Sequence, residues 1–295
     1  MSTIRTAARA PVSDYRATYA FVDELRHQRQ FASVHVSAAA RWSNLAETGQ
    51  AVNDFTAHFM DRRIYAPTAG LSTWKHGLED PDTQWVRTKS AFEIAAFWEC
   101  GAMEPRGLHP HLIALLEQEQ SFEGCDLIAS FPGHRVRLPD VAVESQMDVW
   151  AVVRTYFGLV SLAVEGKAGE GFAETVGEWR TGALTEKNER IAFLCDQLGL
   201  TKPPSDEIRY QLLHRTVSAL LEAERVDAAF AAMVIVSFTD DPRSKDDFGA
   251  FTSCLGGAVS PGQIRRMPSV RNRPLFLGWL DAKLCTDAEI AAIAV

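Results

Sequence analysis

Two carboxylates and a lysine occur at spacings that suit neighbouring strands. Sixteen residues separate Asp148 from Glu165, and Lys167 follows two positions later. Carboxylate oxygens are hard ligands, and Mg²⁺ binds to one or two of them while keeping several of its waters. A nearby ammonium group can orient or deprotonate an attacking water. These residue types therefore fit the metal-assisted hydrolysis of a phosphodiester.

A β-hairpin would bring these three side chains together. The runs 145–153 and 159–167 are both rich in Val, Leu and aromatic residues, which favours strands. The break between them ends in Gly158, and a short break with a glycine suits a hairpin loop. Because side chains two apart on a strand share a face, Glu165 and Lys167 point to the same side.

The register of this hairpin would collect the charges on one patch. With Leu159 as the first residue after the turn, Asp148 lies across from Glu165. The same register puts Gln146 across from Lys167. Unpaired buried charges are strongly disfavoured, and a divalent cation would relieve that cost. Asp148 and Glu165 are therefore predicted metal ligands, Lys167 would position or activate water, and Gln146 would hold the patch in place.

The motif resembles the signature of the PD-(D/E)XK superfamily of restriction-endonuclease-like nucleases, with Asp148 as its aspartate and 165–167 as its E-x-K. The segments SQMDVWAVVR, LAVEGKAGEGF, EWR and RYQLLHRT are similar to a domain family within that superfamily, over roughly residues 71–283. The resemblance implies a nuclease that uses Mg²⁺ or Mn²⁺, with DNA favoured over RNA as its partner. The literal Pro139-Asp140 precedes the hairpin in a predicted loop, and in this register it cannot face Glu165.

A helix ahead of the sheet offers a third carboxylate. The pattern predicts a helix from Ser90 to about Cys100, on which Glu99 is the only charged residue of an otherwise apolar face. In the superfamily that this motif resembles, such a helix often lends a carboxylate to the metal, so Glu99 is a candidate ligand. The alternative is a carboxylate at the helix end that reaches solvent.

Substrate contacts are predicted at two places. Gln211 and Arg215 belong to the polar stripe of a predicted helix that ends near Arg225, and they would contact phosphate or support the carboxylates. A solvent-facing stripe is the alternative. The densest basic stretch lies in 263–273 and contains no acidic residue. Its arginines would contact phosphate or, alternatively, lie on a solvated surface loop: Arg265, Arg266, Arg271 and Arg273.

The remaining patterns predict an α/β fold. Residues 134–138 alternate like a strand, 231–238 form an apolar run suited to a central strand, and 274–281 predict a last strand near the edge. With the helices between them, this order gives an α-β-β-β-α-β core with a central mixed sheet flanked by helices. We expect a helical N-terminal extension over residues 1–66 and the nuclease-like domain over 67–295.

Composition limits the protein's setting. The formal net charge of −8 is evidence against non-specific nucleic-acid binding, which depends on phosphate neutralisation by Lys and Arg. The five cysteines are scattered without a C-x-x-C pair, which favours a reducing compartment. The longest apolar run, 228–236, is too short to cross a bilayer, and the first residues lack an apolar segment of signal-peptide length. A cytoplasmic protein without a membrane partner is expected.

Two other functions fit the same residues. The chain can be a nucleic-acid-binding or assembly module that keeps the fold but does not cut. Asp148, Glu165 and Lys167 can also form a purely structural ladder of ion pairs across the hairpin. The form of the substrate and the formation of a homodimer stay open.

Overall fold

The structure is a computed structural model that describes residues 70–138, 144–182, 185–270 and 273–293. The predicted extension over residues 1–66 lies outside these ranges, so its boundary with the following domain stays a prediction. In the described part of the chain, no helix is long and apolar enough to cross a membrane.

In the described part of the chain, three α-helices precede the first strand, five strands and three further helices follow, and strands and helices are then intermixed. The strands are β1 (Asp126–Pro132), β2 (Arg135–Val136), β3 (Ser145–Gln146), β4 (Val149–Thr155), β5 (Gly158–Lys167), β6 (Phe230–Ser237), β7 (Ile264–Met267) and β8 (Leu275–Asp281). The helices are α1 (Pro81–Gln84), α2 (Ser90–Ala102), α3 (Pro110–Leu116), α4 (Val176–Arg180), α5 (Thr185–Gln197), α6 (Tyr210–Arg225), α7 (Pro242–Cys254) and α8 (Asp287–Ile293). Short 3-10 helices lie at Leu71–Gly77 and Gln120–Phe122.

Six of the strands form one mixed sheet in the order β1-β4-β5-β6-β8-β7. The three strands β5, β6 and β8 are parallel, and the other pairings in the sheet are antiparallel. Strands β2 and β3 pair separately. The predicted α/β class, with a central mixed sheet flanked by helices, is confirmed, and β6 lies in the interior of the sheet as predicted.

The sheet differs from the prediction at both edges. The strand beside β4 is β1, whereas the predicted strand over 134–138 is only the two-residue β2. The chain leaves the sheet at Gly133, whose φ of 64° turns the backbone away. On the other side, 274–281 is flanked by strands on both sides, because β7 forms the edge. The sequence pattern did not predict β7 because of its two arginines, although an edge strand tolerates charge on its exposed side.

The hairpin of β4 and β5 has the predicted register. Arg154 pairs with Leu159, and the ladder continues until Val149 pairs with Val164. One further step along both strands brings Asp148 opposite Glu165. The turn itself is tighter than the predicted break, since β4 runs to Thr155 and β5 starts at Gly158.

The two faces of β5 are covered by different helices. Val160, Leu162 and Val164 belong to the apolar core that includes α2 and α3. On the other face, Ser161 Oγ donates to the carbonyl oxygen of Ala219 in α6 at 2.9 Å. Because side chains alternate along a strand, Glu165 and Lys167 point toward α6.

Gly166 allows α2 to approach the strand between these two charged residues. A Cβ at this position would lie 2.9 Å from Ile94 Cβ, closer than two carbon atoms can pack. The middle position of Glu165-Gly166-Lys167 is therefore fixed by packing on the core face, whereas its neighbours are directed to the other face.

We expect Gly166→Ala to lower the free energy of unfolding by about 1–3 kcal/mol, because the added methyl group forces Ile94 away from the sheet. Urea denaturation measures the change. Gly171→Ala is the matched control, since a Cβ there meets no atom within 4 Å. Equal stabilities of the two variants would show that the approach of α2 does not constrain Gly166.

Candidate functional site

Asp148 lies at the point where the chain enters β4, and its neighbours hold it in place. Its Oδ2 accepts a hydrogen bond from the Gly166 amide at 2.8 Å. Its own carbonyl oxygen accepts one from the Gly133 amide, also at 2.8 Å. The carboxylate is thereby fixed against the last residues of β5.

Glu165 is buried, with 4% of its surface exposed, and both of its oxygens have cationic or amide partners. Oε2 accepts from Arg215 Nε at 2.9 Å. Oε1 accepts from Gln211 Nε2 and lies 3.4 Å from Lys167 Nζ. Charge-assisted hydrogen bonds of this kind offset the cost of burying a carboxylate.

Lys167 is equally buried and is held from three sides. Its Nζ donates to Gln211 Oε1 at 3.2 Å and lies 5.0 Å from the centre of the Phe172 ring. The loop that follows β5 wraps over the same amide, because the Ala173 backbone also donates to Gln211 Oε1, at 3.4 Å. Gln211 thus ties together the acid, the lysine and the loop.

Helix α6 supplies Gln211 and Arg215 from one face. Residues four apart on a helix are neighbours, and α6 packs on β5 and β6. The structure places both residues at Glu165, as one of the two interpretations predicted. The solvent-facing alternative is wrong, because this part of the polar stripe points into the sheet.

The pKa of Asp148 is raised to about 7. Burial is the largest cause, and the nearby carboxylate of Glu165 adds to it. Lys167, Arg215 and the Gly166 amide act in the opposite direction without cancelling the effect. Two acidic and two basic side chains therefore lie close together, and Asp148 keeps its proton up to neutral pH.

A second polar group extends the site and was missed by the sequence analysis. Arg215 Nη1 donates to Ser145 Oγ at 3.2 Å, and that hydroxyl lies 2.8 Å from His214 Nδ1. Burial and the charges of Arg215 and Arg190 lower the pKa of His214 well below its usual value, so this imidazole is neutral. The only signal in the sequence was the position of His214 beside Arg215 on one helix.

Gln146 is not across from Lys167, and that prediction is wrong. It lies in β3 and pairs with Arg135 of β2. The Met147 amide donates to the His134 carbonyl oxygen at 2.8 Å, which keeps this segment on β2 until Asp148. The register of the hairpin therefore cannot be continued beyond Asp148.

Glu99 does not join the other two carboxylates. It lies on α2, which covers the core face of β5, whereas Glu165 points toward α6 on the opposite face. Glu99 Oε1 accepts a hydrogen bond from Trp74 Nε1 at 2.8 Å. Only 4% of Glu99 is exposed, so the alternative of a carboxylate reaching solvent is also wrong. No group of three or more His, Cys, Asp or Glu suited to a metal ion occurs among the described residues.

The predicted basic stretch is distant from the carboxylates. Arg265 and Arg266 lie in β7 rather than in a loop. With β6 and β8 between them, β5 and β7 are about 14 Å apart at the usual strand spacing. Arg273 lies two residues before the first residue of β8. Arg271 lies outside the described residues, as do Pro139 and Asp140.

Comparison with known proteins identifies a family. Residues 67–284 match the model of a family described as a domain of unknown function, DUF6946. No curated protein and no solved structure matches the chain.

Asp148→Asn should change how stability depends on pH. Between about pH 4 and pH 7 the unfolded wild type releases the Asp148 proton while the folded state keeps it, so the wild type loses stability as the pH rises through this window. The variant lacks this proton, and its stability relative to wild type should therefore increase up to about pH 7 and then level off. Urea denaturation in EDTA from pH 4 to pH 8 measures the difference in free energy of unfolding between the variant and the wild type. Asp126→Asn is the control, at a carboxylate paired with Arg154. A stability difference that does not vary with pH would contradict the raised pKa.

Proposed function

The chain belongs to the DUF6946 family, and we propose that it is a metal-dependent nuclease that hydrolyses phosphodiester bonds, with DNA favoured over RNA. One observation carries the proposal: Asp148, Glu165 and Lys167 meet at the open end of one hairpin. Asp148 and Glu165 would hold Mg²⁺ or Mn²⁺, and Lys167 would position or activate water.

The donor set suits a hard cation. Two adjacent carboxylates repel each other, and the raised pKa of Asp148 records that repulsion together with burial. A divalent cation between them would displace the proton and relieve the repulsion. Two carboxylates are sufficient for Mg²⁺, which retains waters in its other positions. Glu165 Oε2 accepts one hydrogen bond, from Arg215, so its second lone pair is available to a cation without the loss of that partner.

Lys167, Gln211 and Arg215 would each have a separate role in the reaction. When bound, the cation would act as a Lewis acid and lower the pKa of a coordinated water. Lys167 holds its ammonium group beside Glu165, where it can orient the attacking water and stabilise developing negative charge. Gln211 fixes that ammonium group, and Arg215 offsets the charge of Glu165 from the other side.

The order of elements supports a restriction-endonuclease-like core. With α3, α4 and α5 left aside, helix α2 precedes the antiparallel strands β1, β4 and β5, and α6 precedes β6, which is parallel to β5. This is the α-β-β-β-α-β order that the PD-(D/E)XK resemblance implies, with the short ladder of β2 and β3 as an excursion between β1 and β4.

A non-cleaving nucleic-acid-binding or assembly module is the second candidate. The observation that favours it is that both oxygens of Glu165 already have partners within the chain, which are Arg215, Gln211 and Lys167. Above about pH 7, where Asp148 is also ionised, two negative and two positive side chains balance each other, so the cluster can also be stable without a cation.

Cleavage by two variants separates these functions. Glu165→Gln keeps the shape of the side chain but removes an anionic ligand, and Lys167→Met removes the ammonium group. We expect each to reduce the cleavage rate by about 10²–10⁴-fold. Cleavage is measured on single-stranded, duplex and branched DNA and on RNA, with Mg²⁺, Mn²⁺ or EDTA.

Each variant has a matched control elsewhere in the chain. Lys187 lies 5.2 Å from the centre of the Trp179 ring, as Lys167 does from Phe172, so Lys187→Met tests the loss of a lysine packed on an aromatic ring. Glu222 is buried and paired with Arg225, so Glu222→Gln tests the loss of a buried ion pair. Both controls should retain cleavage. Wild-type protein that cuts none of these substrates with either metal would overturn the nuclease in favour of the binding module.

A further inference from the structure

We propose that a cleft beside Asp148 binds one unstacked nucleobase next to the scissile phosphate, so that the substrate is single-stranded or locally unpaired nucleic acid. This inference rests on the proposed nuclease function and specifies its substrate. The cleft lies between α2, the segment before it and the end of the hairpin. Its walls include two tryptophans, apolar residues, one amide and the carboxylate itself: Trp74, Trp85, Ile94, Pro132, Gln146 and Asp148.

The tryptophans provide aromatic surface at fixed positions. Trp74 is buried, and its Nε1 donates to Glu99 Oε1, so Glu99 orients this ring. Trp85 is partly exposed and packs on Phe92, with the ring centres 5.1 Å apart. Stacking of a base on an aromatic side chain contributes about 1–3 kcal/mol and tolerates any base, because every base has a π face.

Gln146 provides the polar group that a base edge requires. An amide side chain both donates and accepts hydrogen bonds, which matches the edge of a nucleobase. Its Nε2 lies 3.3 Å from where a Cβ of Gly133 would be, and Gly133 also lines the cleft. A larger residue at position 133 would crowd this amide, so the glycine keeps it accessible.

Positive charge for the backbone of the strand lies on the neighbouring ladder. Arg135 pairs with Gln146, and side chains directly opposite on an antiparallel pair point to the same face. Arg135 and Arg137 are both exposed. They are better placed for phosphate contacts beside Asp148 than Arg265 and Arg266, which lie at the far edge of the sheet.

The net charge of the chain agrees with recognition through a base. With a formal charge of −8, the protein is poorly suited to follow a duplex through many phosphate contacts. Stacking in a pocket does not depend on net charge. A base in a duplex is paired and stacked on both faces, so it would enter the cleft only after leaving the helix at a cost of a few kcal/mol.

Binding in EDTA tests the cleft without cleavage. Fluorescence anisotropy is measured with a labelled single strand, the same sequence as a duplex, and a labelled mononucleotide. We expect the single strand to bind at least about tenfold more tightly than the duplex, because the duplex must first release a base. The mononucleotide should bind more weakly than the single strand, because it lacks the flanking phosphates.

Variants locate the binding. Trp85→Ala should weaken single-strand binding by about tenfold, while Trp85→Phe, which keeps a ring, should retain most of it. Gln146→Leu should also weaken single-strand binding, because the base edge loses its hydrogen-bonding partner, and it provides a second test if Trp85→Ala does not fold. Arg135→Ala should lower the slope of log affinity against log salt by about one, and Arg266→Ala should leave it unchanged.

The outcomes separate the cleft from the nuclease. The proposed base-binding cleft would be wrong if the protein bound duplex more tightly than single strand. It would also be wrong if neither Trp85→Ala nor Gln146→Leu changed single-strand binding, even with cleavage that depends on Glu165. A mononucleotide that binds as tightly as the strand would replace it with a nucleotide pocket. Single-strand binding that depends on Trp85 would support the cleft even if no metal produces cleavage, in which case only the nuclease fails.

Discussion

The proximity of two carboxylates at the end of β5 is the constraint on which the site depends. Asp148 and Glu165 would repel each other if both were ionised and unpaired. Two cationic side chains and one amide, supplied by α6 and β5, offset this repulsion. Arg215 and Gln211 reach Glu165 only because α6 packs against β5 and β6. Gly166 lets α2 close the opposite face without displacing the charged residues on either side of it.

This constraint explains which parts of the site could be predicted from the sequence. The alternation of β5 and one hairpin register were enough to bring Asp148, Glu165 and Lys167 together, because both are local properties of two consecutive strands. The same register gave the wrong position for Gln146. The segment before Asp148 pairs with β2 instead of β5, and the pattern of side chains does not indicate this change of partner. Glu99 failed because helical periodicity predicts which residues share a face, but not which face of the sheet the helix covers.

The fold was predictable to a similar depth. Its class follows from the presence of both apolar strands and amphipathic helices, and the long apolar run of β6 predicted an interior strand. The edges were not predictable, because β7 carries two arginines that read as a surface loop. Strand order at an edge depends on contacts between distant segments, such as the pairing of β7 with β8, and no local pattern records these contacts.

The site and the cleft share Asp148, and this sharing gives one account of how an acidic protein can act on nucleic acid. Below neutral pH, where Asp148 keeps its proton, the charges of Lys167 and Arg215 exceed that of the Glu165 carboxylate, and Arg135 lies on the neighbouring ladder. A strand held by one base and a few phosphates requires only this local balance. Glu99, predicted as a metal ligand, then acts on the same site indirectly by orienting Trp74 in the wall of the cleft.

The most direct test of the metal centre is the titration of Asp148 itself. Its side-chain carboxyl ¹³C shift, followed by NMR against pH and assigned with Asp148→Asn, reports the pKa with and without Mg²⁺. The account predicts a midpoint near pH 7 in EDTA, as the structure indicates, and a midpoint well below this value in saturating Mg²⁺, because the cation displaces the proton. A midpoint that Mg²⁺ does not move would contradict a metal ion bound between Asp148 and Glu165.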